Sequence, residues 1–295
     1  MAAFDDIWYR SSDGLQLYAR DYRCRDSAGG ARPAVLCMHG LSRNSADFAA
    51  LAEHLCAGYR VLCVDQRGRG RSDYDRQVSN YALPTYVRDM FTLLDLLAID
   101  RVILVGTSMG GLMAFAMAAA QPGRVRAMVI NDIGPELDPR GLARIKSYVG
   151  KLQPVRNWDE ALQQARVMAA DAFPDFSEQE WLDFTRGIFR EEDGVPVLAY
   201  DPAISGPLDG GDAALAPDLW PLFTALGAVP LLLLRGQNSD ILSPDCVARM
   251  QACNPAMQYR EVPRRGHAPT LNEPVARSAI DAFLRQLQNQ GDTAP

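Results

Sequence analysis

Three residue types in this 295-residue chain could together cleave an acyl bond: a serine on a turn, a histidine to take its proton and a carboxylate to hold the histidine. The serine is Ser108, in Gly106-Thr107-Ser108-Met109-Gly110. Before it, Val102-Ile103-Leu104-Val105 is an apolar run too short for a helix and suited to a strand buried on both faces. After it, Leu112-Met113-Ala114-Phe115-Ala116-Met117 has helical character. The flanking glycines permit a sharp strand-to-helix turn that lifts the hydroxyl out of the sheet. The first turn of a helix leaves backbone N–H groups unpaired, so the Met109 amide is placed to meet a negative oxygen forming beside Ser108.

A serine hydroxyl is a poor nucleophile at neutral pH and needs a base, and the base needs a carboxylate to fix its tautomer and stabilise its cation. The sequence has three histidines, His39, His54 and His267. His267 follows the strand-like residues 257–262, and Asp240 follows the strand-like Val229 to Leu234. The order serine, acid, histidine, each after a predicted strand, carries more weight than the five-residue motif alone. Asp240 is the expected acid, in a loop long enough to turn toward His267. Asp132, which closes the apolar run Val125 to Ile130, is a rival for that role; otherwise it fixes the following turn or lines a pocket.

The elements that must position these residues follow from periodicity. Residues 6–22 alternate around Ser12-Asp13-Gly14 and predict an antiparallel hairpin. After a Gly29-Gly30 loop, Pro33 to Met38 is a buried strand, and Phe48, Leu51, Ala52 and Leu55 share one face of a helix capped by Asn44 or Ser45. Tyr59 to Val64 is another strand, closing on Asp65-Gln66-Arg67-Gly68-Arg69-Gly70-Arg71-Ser72. The Gly68-x-Gly70 pair fails as a dinucleotide loop: Asp73 stands where a third glycine belongs, and helical spacing begins only at Pro84. Strand and helix then alternate steadily, which predicts a parallel sheet with helices on both sides.

The rhythm breaks between Leu137 and Leu226, where helices dominate. Asp138-Pro139 opens one, and Asn157 with Glu160 and Ser177 with Glu180 read as capping boxes for two more. Trp181, Phe184, Ile188 and Phe189 form a stripe that is either core packing or the wall of a lid. Residues 194–214, rich in Gly, Pro and Asp, read as irregular. Ser243-Pro244 caps a further helix, Pro274 opens the last one, and the polar tail from Gln288 is expected to fray.

With 48% hydrophobic residues the chain can bury a large core, and its formal net charge is −6. Its one dense basic cluster, Arg67 to Arg71, is too small for a nucleic-acid footprint. Asp5 and Asp6 stand where a signal peptide would be basic, and no stretch approaches the ~18 apolar residues of a membrane span. The expectation is a soluble cytoplasmic protein with neither nucleic acid nor membrane as partner. The six cysteines show no C-x-x-C pair and no metal-ligand spacing, so buried reduced thiols are expected, with no metal and no cofactor.

These features resemble the α/β-hydrolase family over residues 6–287, in a capped serine-hydrolase form. His39-Gly40 matches the family's oxyanion loop, Asp65 to Ser72 the loop after its next strand, Gly106 to Gly110 its nucleophile elbow, and Gly266-His267 its histidine loop. The resemblance implies an α/β fold with a mostly parallel eight-stranded sheet flanked by helices. It divides the chain into a first core part (1–136), an inserted helical cap (137–226) and a second core part (227–295). It implies a triad of Ser108, Asp240 and His267 and an oxyanion hole from the N–H groups of Leu41 and Met109. His39 is read as shaping that loop, and His54 as solvated. Pocket candidates are His39, Asp132, Trp181, Phe184, Trp220 and Phe223.

The implied activity is hydrolysis of a small carboxylic ester or lactone through an acyl-enzyme on Ser108. The serine argues against the dehalogenases and epoxide hydrolases of the family, which carry Asp there. Carbon–carbon bond hydrolysis, acyl transfer and haloperoxidase-like chemistry remain open on the same triad. Ala268 and Pro269 after the histidine count against the first, whose members usually have Trp there. A small-ligand receptor on a hydrolase scaffold is a reading of another class.

Overall fold

Strands form where apolar, β-branched runs are long enough to cross a sheet and too short to make a helix. Five of them, Ala34–Met38 (β3), Val61–Asp65 (β4), Val102–Thr107 (β5), Val125–Asn131 (β6) and Leu231–Gly236 (β9), are almost wholly buried. In the computed structural model, which describes residues 3–25, 33–206, 218–227 and 229–291, they form the centre of an eight-stranded sheet. Asp5–Arg10 (β1) and Gln16–Tyr22 (β2) pair antiparallel at one edge, and Gln258–Val262 (β10) closes the other. The order is β1-β2-β4-β3-β5-β6-β9-β10, and every pairing from β4 onward is parallel.

Helices cover both faces. Ala49–Leu55 (α1) and Pro274–Gly291 (α9) bury Leu51, Ala52, Ile280 and Phe283 against one side of the sheet. Leu83–Leu96 (α2), Met109–Ala120 (α3) and Pro244–Cys253 (α8) pack on the other. Caps occur where side-chain oxygens can reach free N–H groups: Asn44 accepts from Ala46, Asp138 from Arg140, and Ser243 from Cys246. Ser177 and Glu180 complete a reciprocal capping box, whereas Glu160 accepts from the Arg156 amide instead of that of Asn157.

Between β6 and β9 in the chain lie Pro139–Tyr148 (α4), Trp158–Ala169 (α5), Glu178–Arg186 (α6) and Trp220–Thr224 (α7). The same stretch holds a two-stranded hairpin, Phe189–Glu192 (β7) with Val195–Leu198 (β8). That hairpin departs from the expectation of helices followed by irregular chain. Its turn is Asp193-Gly194, both at positive φ (50° and 81°), the conformation a two-residue hairpin turn needs. The Gly29-Gly30 loop, the later part of 194–214 and the last residues of the polar tail lie outside the described residues.

The basic cluster after β4 is mostly interior. Arg67 and Arg69 are fully buried. Arg67 pairs with Asp89 (2.8 Å), Asp13 (2.8 Å) and Asp75 (2.6 Å), tying the first hairpin and α2 to this loop. Beside it, Asp65 accepts from the Ser45 and Arg71 amides, and a Cβ on Gly70, at φ 56°, would lie 2.1 Å from its carboxylate. Gly70 therefore permits a closely packed turn.

Removing Arg67 would leave Asp89, itself fully buried, without its counter-ion. Arg67→Met is expected to lower unfolding stability by about 3–5 kcal/mol. Urea unfolding followed by circular dichroism measures this, and a change within 1 kcal/mol would contradict the assigned role.

Candidate active site

The turn carrying Ser108 is built by close backbone approach. A Cβ on Gly106 would sit 2.3 Å from the Gly110 carbonyl oxygen, and one on Gly110 would sit 1.9 Å from that of Met38. Only glycine fits either position, so β5 turns directly into α3 with Ser108 between them at φ 52°, ψ −116°. An L-residue adopts that conformation only when its surroundings hold it. Here the Ser108 amide donates to the Asn131 carbonyl (3.0 Å) on the neighbouring strand.

The hydroxyl of Ser108 lies 2.8 Å from Nε2 of His267, and Nδ1 of His267 lies 2.8 Å from Oδ2 of Asp132. With the proton on Nδ1 donated to the carboxylate, Nε2 is free to accept from the serine. The Asp132 side chain is fully buried, and that of His267 is 8% exposed. Asp132 also accepts from the Gly236 amide (2.8 Å) and from the Ser239 hydroxyl (2.7 Å), so a charge buried here has three donors. This geometry can move a proton from serine to imidazole and stabilise the imidazolium that results.

Asp240 was the expected partner of His267, and the structure corrects this. Its carboxylate turns to Arg144 on α4, which donates through Nε (2.6 Å) and Nη2 (2.8 Å). Burial works to raise its carboxyl, and the Arg144 guanidinium outweighs this and holds it below the usual range. The rival reading, Asp132, supplies the hydrogen bond. The two acids follow paired parallel strands, with β6 residues 128–131 beside β9 residues 231–234, so both reach the same end of the sheet.

The loop after β3 completes the site. His39 is fully buried: Nε2 accepts from the Gln66 amide (3.0 Å) and Nδ1 contacts the Gly40 carbonyl (2.7 Å). Burial, reinforced by the charges of Arg69 and Arg43, lowers its pKa to about 3, so the ring is neutral at physiological pH. It supports the loop from beneath and does not line the cavity. Leu41 does line it. Met109 is the first residue of α3, and its N–H has no carbonyl of that helix to bond.

Ser108 and His267 open into a cavity of about 480 Å³. Part of its apolar wall, Ile145, Tyr148, Met168, Phe173, Phe176 and Phe184, comes from the segment between β6 and β9. Of the four aromatic wall candidates only Phe184 lines the cavity. Trp181 is buried behind the wall against Phe173 and Phe176, Phe223 packs in the main core on Phe115 (5.7 Å), and Trp220 lies outside it under Arg249. Phe173 and Phe176 were missed because they stand in Phe173-Pro174-Asp175-Phe176, a linker without helical period. Asp132, also a pocket candidate, faces His267. His54 pairs with Asp281 (2.8 Å) far along the chain and takes no part in the site.

A family model described as the alpha/beta hydrolase fold matches residues 33–274. The chain belongs to the α/β-hydrolase fold family. A 3-hydroxybutyrate-oligomer hydrolase of Cupriavidus necator is 36% identical over 267 residues, covering 86% of this chain and 89% of that relative. A 2-(acetamidomethylene)succinate hydrolase of Mesorhizobium japonicum is 27% identical, over 86% of this chain and 89% of the relative. Among solved structures, an alpha/beta hydrolase from Novosphingobium aromaticivorans superposes with a TM-score of 0.89 at 41% identity, covering 97% of this chain and 99% of the other. These relatives are hydrolases. Among the described residues no helix is long and apolar enough to cross a membrane, and no group of three or more His, Cys, Asp or Glu side chains could hold a metal.

Replacing either acid by Asn keeps its shape and removes the charge. Asp132→Asn is expected to lower kcat for hydrolysis on the order of 10⁴-fold, and Asp240→Asn by less than about tenfold. The reverse pattern in purified, folded variants would return the acid to Asp240.

Proposed function

We propose that this protein is a serine hydrolase that cleaves a small carboxylic ester, with Ser108 as nucleophile, His267 as base and Asp132 as acid. The observation that carries the reading is the unbroken hydrogen-bond chain from Ser108 through His267 to Asp132, at the mouth of a cavity of ligand size. Ser108 Oγ attacks the ester carbonyl as its proton passes to His267 Nε2. The developing oxyanion is held by the N–H groups of Leu41 and Met109. The imidazolium gives its proton to the leaving alkoxide, and water activated by the same imidazole then releases the acid from Ser108. The segment between β6 and β9 acts as a cap whose apolar wall receives the hydrocarbon part of the substrate.

The Cupriavidus necator relative is named for oligomers of 3-hydroxybutyrate, which are esters ending in a carboxylate. Arg144 supports a substrate of that kind. It lines the cavity beside His267, and two of its five N–H donors go to Asp240, which leaves others for a carboxylate. The proposed substrate is therefore a short ester of a hydroxy acid with a free terminal carboxylate.

The test uses the linear dimer of 3-hydroxybutyrate and its methyl ester. Wild-type protein is expected to hydrolyse the dimer, and Ser108→Ala to lose at least ~10³-fold in kcat while retaining its fold. Arg144→Met should raise KM for the dimer about tenfold, the scale of one charge-assisted hydrogen bond, and leave KM for the methyl ester nearly unchanged. Equal changes for both compounds would remove carboxylate recognition from the proposal. Wild-type turnover in Ser108→Ala would remove the mechanism.

A further inference from the structure

Arg67 and Arg69 are both fully buried, but their surroundings differ in kind. Arg67 meets three carboxylates. Arg69 meets none among the described residues: Nη1 donates to the Arg67 carbonyl (2.8 Å) and to the Tyr86 hydroxyl (2.9 Å), and Cζ lies 5.0 and 5.5 Å from the ring centroids of Tyr86 and Tyr81. Its remaining contacts are with the two residues proposed to form the oxyanion hole. Nε donates to the Leu41 carbonyl (2.8 Å), and Nη2 approaches the Met109 sulfur (3.7 Å).

We propose that Arg69 is the positioning residue of the oxyanion hole, fixing the Leu41 loop and the start of α3 together and directing an unneutralised positive charge toward the oxygen that becomes negative. The proposal rests on the serine-hydrolase reading above.

Three observations support it. The consecutive carbonyls of Gly40 and Leu41 are each held by a buried side chain, His39 and Arg69, which fixes the peptide plane that carries the Leu41 N–H and the one after it. Arg69 itself does not line the cavity, so its effect must pass through Leu41 and Met109. A buried cation without a carboxylate is costly to the fold. The carbonyl and hydroxyl acceptors and the two tyrosine faces make it tolerable. Retention of the charge at that cost is what a role in transition-state stabilisation explains.

The experiment compares wild type, Arg69→Met and Arg69→Lys on p-nitrophenyl butyrate, with thermal midpoints and the inhibition constant of butylboronic acid, whose serine adduct carries a negative oxygen. For Arg69→Met, kcat should fall about 30- to 100-fold, below the 10²- to 10³-fold loss of a direct oxyanion donor. KM should stay within twofold, and boronate affinity should weaken in proportion to kcat. Arg69→Lys, which keeps the charge without the planar fork, should recover part of kcat and of boronate affinity. If Arg69→Met does not fold, Arg69→Lys decides alone, a drop of threefold or more in both quantities supporting the proposal. Unchanged kcat and boronate affinity, whatever the thermal midpoint, would overturn it and leave Arg69 a structural residue. A wild-type protein that neither hydrolyses the ester nor takes the boronate would overturn the serine-hydrolase reading, and this proposal with it.

Discussion

The structure depends on one close approach, that of the backbones of β3, β5 and α3 around Gly106 and Gly110. With a carbonyl oxygen closer than 2.5 Å to either hypothetical Cβ, the chain can turn from strand to helix within a single residue, and Ser108 takes the positive φ that results. A strained residue of this kind persists only where its neighbours fix it. The sheet does so through the Asn131 carbonyl, which receives the Ser108 amide, while the Asn131 side chain donates to the Pro269 carbonyl just beyond His267. The serine turn and the histidine loop are thus fastened to the end of the same strand, β6, whose next residue is Asp132.

Charge placement around that point follows a consistent division. Carboxylates and guanidinium groups that only hold the fold are neutralised in clusters, as at Arg67 with its three aspartates. Close to Ser108 the buried groups are balanced by hydrogen bonds instead: Asp132 by Gly236, Ser239 and His267, and Arg69 by carbonyls, a hydroxyl and tyrosine rings. Groups left with their charge uncancelled are the ones able to respond when charge develops on a bound molecule.

The segment between β6 and β9 ties itself to the core at several points. The Ala199 carbonyl accepts from Gly70, the Gly187 carbonyl from the Asn44 side chain, and the Ala172 carbonyl from Gly266 next to the histidine. The last contact requires glycine, since a Cβ on Gly266 would meet the Ala172 backbone at 2.7 Å. The cavity wall is therefore registered against the same loops that carry Ser108 and His267.

Much of this was legible in the sequence because the signals are local. Strand-length apolar runs, capping residues, the Gly-x-Ser-x-Gly turn and the order of serine and histidine along the chain fixed the fold class and brought Ser108 and His267 forward as partners. The hairpin at 189–198 had a local signal too, in Asp193-Gly194, but its strands are short and one carries Pro196. The cavity wall was less accessible, because an amphipathic stripe identifies a buried face without identifying what lies across it. Trp181 and Phe184 share a helix face, yet only Phe184 reaches the cavity. The identity of the acid was beyond the sequence altogether. Asp132 and Asp240 follow adjacent parallel strands and arrive at the same end of the sheet, so chain position gives both a claim on His267. What separates them is Arg144, which the fold of α4 brings from 96 residues away to occupy Asp240, while Ser239 and Gly236 turn toward Asp132. Those contacts exist only once the segment has packed on the sheet, and tertiary structure alone made that choice.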